Sequence, residues 1–79
     1  MEKIVLVSAS TGERGNDGKK KVYEIVIDGN RVVMSWGKAE ETRRQTKREW
    51  FTDSRFAKMF AEEKMWEKIH KGYQLAYKA

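Results

Sequence analysis

The chain has 79 residues, 39% hydrophobic and 37% charged, with 17 Lys and Arg against 12 Asp and Glu for a formal net charge of +5. At this length one domain, 1–79, is expected, burying about 60% of its unfolded surface, so each large apolar side chain counts. No cysteine is present, which excludes disulfides, cysteine-ligated zinc and a thiol nucleophile together, and no stretch approaches the ~20 apolar residues that span a bilayer, so a cytoplasmic, monomeric protein without membrane contact is expected.

The first stretch, EKIVLVSAS, is rich in β-branched residues and predicts a strand from Lys3 to Ser10. TGERGNDGKKK then reads as a long connection. Its glycines invite comparison with a P-loop, but Gly12 lies six positions before Gly18 rather than five, and Lys20 stands where a magnesium-holding Ser or Thr belongs. It remains a loop whose Lys19, Lys20 and Lys21 are able to touch a phosphate backbone.

VYEIVID predicts a second strand with Tyr23, Ile25 and Ile27 on one face. A tight turn at Gly29-Asn30 leads into RVVMSW, where Val32, Met34 and Trp36 alternate with Val33 and Ser35. RRQTKREWF continues as a fourth antiparallel strand whose alternation divides its charges: Arg44 and Arg48 share a face with Trp50, and Lys47 shares one with Phe51. Thr52 or Asp53 caps a helix from Ser54 to His70, terminated at Gly72. Phe56, Met59, Phe60, Trp66, Ile69 and Tyr73 form its apolar side, with Glu63 inside the stripe and Met65 outside it. YQLAYK returns as a short edge strand. The whole predicts an α+β fold, an antiparallel β-sheet of four to five strands with one main α-helix packed across one face.

Catalytic and metal chemistry find little footing. His70 is the sole histidine and suits the negative end of the helix dipole. Glu62 and Glu63 are adjacent and diverge on a helix, so they make no general acid–base couple. No enzyme activity, metal or cofactor is expected. The charge excess lies in the second half: residues 41–79 carry ten basic and six acidic side chains, against seven and six in residues 1–40. Arg43, Arg44, Lys47 and Arg48 are its densest part, and a positive field of this kind favours an anionic partner.

Each tryptophan has its own expected role. Trp66 belongs to the helical core stripe, and Trp50, beside Phe51, closes the junction of sheet and helix. Trp36 has two readings. It fills the core, or it stands at the strand end as a stacking platform, with Lys38 and the basic run supplying phosphate contacts that position a nucleic acid without reading its sequence.

The segment from Val22 to Tyr73 resembles a WGR domain, a module named for its Trp-Gly-Arg triplet and found in DNA-damage-responsive poly(ADP-ribose) polymerases and many bacterial proteins. The matching features are VYEIVID, RVVMSWGK entering the triplet, RQTKREWF, the lysine-rich FAKMFAEEKMWEKI and the closing KGY. The resemblance implies a helix across an antiparallel sheet and binding near a DNA break, with the triplet tryptophan against the sugar-phosphate at a strand end. Those positions are Trp36, Gly37 and Lys38, and Gln45 matches the family's glutamine. Lys38 departs from the arginine, keeping the charge without the planar fork. AEETRR replaces a glycine-bearing turn and places Glu40 and Glu41 beside the site. The sequence-based expectation is therefore a non-enzymatic module binding nucleic acid, DNA in the first instance, through Trp36, Gly37, Lys38, Arg43, Arg44, Gln45, Lys47 and Arg48. The alternative is a protein-interaction or scaffold module that meets an acidic partner through the same surface.

Overall fold

The computed structural model describes residues 1–8, 20–39 and 42–79. The glycine-rich connection, Ala9 and Ser10 at the end of the expected first strand, and Glu40 and Glu41 lie outside the described residues. Five strands and one helix follow in the order β1 (Glu2–Ser8), β2 (Lys21–Asp28), β3 (Arg31–Lys38), β4 (Gln45–Trp50), α1 (Ser54–His70) and β5 (Gln74–Lys78). The strands form one sheet ordered β4-β3-β2-β1-β5, antiparallel throughout. The α+β arrangement of a single helix on an antiparallel sheet is the one the sequence predicts.

Register follows from alternation. Three rungs of side chains run across the helix-covered face: Glu2–Ile27–Val32–Glu49, Ile4–Ile25–Met34–Lys47 and Leu6–Tyr23–Trp36–Gln45. Each rung is apolar in the middle strands and polar on β4, so the hydrophobic cluster sits over β1, β2 and β3. Ile4, Leu6, Ile25, Val32 and Met34 are almost fully buried, and each such side chain contributes about 1.5–3 kcal/mol relative to remaining exposed.

The helix has both termini finished by its own sequence. Asp53, in extended conformation, accepts a hydrogen bond from the Arg55 N–H at 2.8 Å, satisfying one of the donors left free at a helix start. At the other end Gly72 takes φ 106°. Its N–H donates to the Ile69 carbonyl at 3.1 Å, and the Tyr73 N–H donates to the Lys68 carbonyl at 3.0 Å. This paired glycine-ended closure reverses the chain and brings Tyr73 back over the sheet, edge-on to Tyr23 with centroids 6.3 Å apart.

Two expectations about the aromatic residues are overturned. The side of α1 that meets the sheet is Ala57, Ala61 and Met65, spaced by four, with Phe60 and Ile69 packed at its margins. Phe56, Met59 and Trp66 lie on the outer side, 53%, 57% and 54% exposed. The physical reason is volume. The covered sheet face already presents Tyr23, Ile25, Met34 and Trp36, and two alanines allow the helix to settle on them where rings would hold it away. Trp50 likewise does not close the junction. It is 67% exposed on the opposite sheet face, with the Arg31 guanidinium 5.5 Å from its ring centroid. Phe51 fills that role, 5.1 Å from Phe60 by centroids, and its N–H is held by the Asn30 carbonyl at 2.8 Å.

Candidate nucleic-acid interface

The candidate site is built where β3 runs out. Tyr23 and Trp36 are cross-strand partners on the helix-covered face, and their rings stack at 5.7 Å and 16°, a spacing at which offset aromatic pairs are favourable. Trp36 is half-buried. The side chain packs against the core and still lines open concavities at the strand end.

Gly37, the next residue, points to the other face. A Cβ there would lie 3.2 Å from the Arg43 carbonyl oxygen and 3.3 Å from the Arg44 Cγ. The glycine lets the Arg43 carbonyl and the Arg44 side chain close directly against β3. Arg44 continues across the open face to Glu24, 3.4 Å away, and Glu24 also receives Lys3 at 3.7 Å. The arginine is thus anchored at the corner by a carboxylate it shares. The Ala39 N–H donates to the Lys20 carbonyl at 2.9 Å, extending the pairing of β2 and β3 past Lys21 and Lys38.

Trp36, Gly37, Lys38, Arg43, Arg44 and Gln45 line one concavity of about 490 Å3. The structure brings these six expected residues together at the corner. Lys47 lies on the helix-covered face in the neighbouring groove, and Arg48 lies on the open face opposite Val33, so these two do not share the corner concavity.

Sequence reasoning missed the other side of the tryptophan. A groove of about 530 Å3 runs between α1 and the sheet, with Tyr23, Met34, Trp36, Phe60 and Tyr73 as its apolar surface and Lys47, Glu49, Lys64 and Lys68 as its polar one. The Lys68 ammonium stands 4.7 Å from the Tyr23 ring centroid and the Lys64 ammonium 5.6 Å from that of Phe60, both within cation–π reach. The signal was available: Phe60, Lys64 and Lys68 recur every four residues beside Ala57, Ala61 and Met65, so taking the helix phase from the alanines exposes them. A smaller hollow of about 220 Å3, lined by Lys21, Trp36, Gly37, Lys38 and Tyr73, connects the themes.

Burial sets the protonation behaviour here. It pushes the Tyr23 hydroxyl up, helped by the negative Glu67 and by Tyr73, and it pushes Tyr73 up. It pushes the Lys68 ammonium down, a shift deepened by Lys71 and Lys64 and opposed by Glu67. Lys68 is thus a cation held among cations against an aromatic surface. Among the described residues no group of three or more His, Cys, Asp or Glu gathers at metal-ligating range, and no helix is long and apolar enough to cross a membrane.

A family model of the WGR domain matches residues 9–79. No curated protein and no solved structure matches the chain.

Proposed function

Because the chain belongs to the WGR domain family, we propose that it is a nucleic-acid-binding module that holds DNA by its sugar-phosphate backbone without reading bases. The WGR domain is a binding module rather than a catalytic one, known for nucleic-acid binding in proteins like the poly(ADP-ribose) polymerases. The observation that carries the reading is the corner concavity, where Lys38, Arg43 and Arg44 surround the half-buried Trp36. In this reading Trp36 packs against a sugar or terminal base, Lys38, Arg43 and Arg44 neutralise phosphates, and Gln45 donates a neutral hydrogen bond. Lys47 and Arg48, one on each face of β4, reach the backbone only where it wraps the sheet edge.

A second reading, a protein partner, draws on the exposed Phe56, Met59 and Trp66. These lie on the outer side of the helix, away from the charged corner, so they do not compete for it. The test is a titration of intact duplex, nicked duplex and single strand at two salt concentrations. Arg44→Glu is expected to weaken binding and to lower the salt slope by about one phosphate contact. Affinity unchanged in both Arg44→Glu and Trp36→Ala would remove the corner from the interface.

A further inference from the structure

We propose that the groove between α1 and the β2–β3–β4 surface binds a free nucleoside mono- or diphosphate. This goes beyond the backbone-binding reading: the groove shares a single lining residue, Trp36, with the corner concavity and takes Lys64 and Lys68 from the helix. Its volume, about 530 Å3, falls within the roughly 300–1,000 Å3 of small-molecule sites.

The chemistry of the walls selects the ligand. Trp36, half-buried and held parallel to the buried Tyr23 at 16°, offers its remaining ring surface to a planar base. Lys64 and Lys68 are one helical turn apart, so their ammoniums reach the same phosphate from one side. Their positions above Phe60 and Tyr23 keep them at the groove wall rather than extended into water. Lys64 shares Glu67 at 3.7 Å, whereas among the described residues Lys68 has no ion-pair partner, and it lies close to further positive charge. A phosphate supplies a direct anionic partner for Lys68, beside the Glu67 carboxylate that Lys64 and Lys71 already share.

Across the groove Glu49 pairs with Lys47 at 3.5 Å. A simple aromatic acid turns its carboxylate to the lysines and leaves Glu49 without a donor. A nucleotide brings ribose hydroxyls or a base amino group that donate to Glu49, and its phosphate points to the opposite wall. One apolar surface, one acceptor and a pair of cations thus match the three parts of a nucleotide.

The full chain is titrated with adenosine and guanosine mono- and diphosphates, with adenosine, with inorganic phosphate and with a short 5′-phosphorylated strand, by calorimetry and by amide and indole NMR shifts. Nucleoside phosphates are expected to shift Trp36, Phe60 and Lys68, and to bind at least about tenfold more tightly than adenosine or phosphate alone, each of which makes only part of the contacts. Lys64→Glu and Lys68→Glu each weaken the nucleotide by about tenfold or more, the loss of a charge-assisted contact. Lys68→Gln keeps the stem over Tyr23, and weakened binding at an unchanged melting temperature assigns the effect to charge. Absence of binding at about 1 mM nucleotide, shifts confined to Arg43 and Arg44, phosphate binding as well as the nucleotide, or groove shifts with the strand alone would each overturn the proposal. Duplex binding without nucleotide binding removes this site and leaves the proposed function intact, and the reverse result does the opposite.

Discussion

Two aromatic regions of this molecule have similar composition and opposite surroundings. The buried Tyr23 and the half-buried Trp36 and Tyr73 form a cluster held in register by the β2–β3 pairing and by the glycine-ended helix, with lysines along its rim. Phe56, Met59 and Trp66 are as apolar, yet they lie on the outer side of α1 among Arg55, Glu62, Glu63 and His70. The difference is made by neither set of rings. It comes from Ala57 and Ala61, whose small side chains decide which side of the helix approaches the sheet. Small residues at the contact set the phase, and large ones are then sorted by it.

Adjacent positions 65 and 66 give the strongest way to break this comparison. Met65→Ala is expected to destabilise the fold by about 2–5 kcal/mol, because a buried methionine leaves a cavity. Trp66→Ala is expected to change stability by no more than about 0.5 kcal/mol, as surface substitutions do. Urea unfolding of the pair measures both, and equal losses would mean that the outer stripe is part of the core.

A finer probe is Gly37→Ala. The added methyl meets the Arg43 carbonyl and the Arg44 Cγ at 3.2 and 3.3 Å, so Arg44 is displaced from Glu24. Stability should change by less than about 1 kcal/mol, since a stiffer unfolded chain offsets the tight contact. DNA affinity should fall severalfold while the lysine-rimmed groove is unaffected. Binding isotherms that move together for both sites would show the two sides of Trp36 to be one.

The smallest effect concerns the helix start. Hydrogen bonds from the Arg55 side chain and then from its backbone N–H hold the Asp53 carboxyl below the usual carboxylate range. A carboxylate depressed in the folded state stabilises the fold at pH above its unfolded value, and this contribution is lost as pH falls through the folded one. Melting temperature should therefore decline on acidification below the ordinary aspartate range, and Asp53→Asn should flatten that decline. An unchanged profile would show that the cap is not sensitive to charge.

The β2–β3 hairpin and the helix limits were legible because they rest on local signals: alternation in β2 and β3, the Gly29 turn at φ 62°, Asp53 before the helix and Gly72 after it. The split of the basic run between the two faces of β4 followed from the same alternation. The role of Trp66 was not legible, because helical periodicity ranks residues by apolarity and is blind to the space available opposite them. The lysine-rimmed groove was hidden for the same reason. Its cations belong to the helix side that only the alanines reveal. Arg44 posed a different obstacle, since alternation gives its face but not the reach of its side chain past Gly37 to Glu24 on β2.

The two ends of the sheet carry a further consequence. Edge strands invite growth by pairing with another copy. On β4 such an encounter brings Lys47 and Arg48 of two molecules together, and repulsion resists it. On β5 the exposed stretch is Gln74–Lys78, with Leu75 and Tyr77 at the surface and one lysine. Protection against strand-by-strand aggregation is therefore lopsided, and on the β4 side it depends on charge. A polyanion that neutralises β4 also lifts that guard, so solutions mixed near charge balance are where the folded protein is most prone to associate edge to edge.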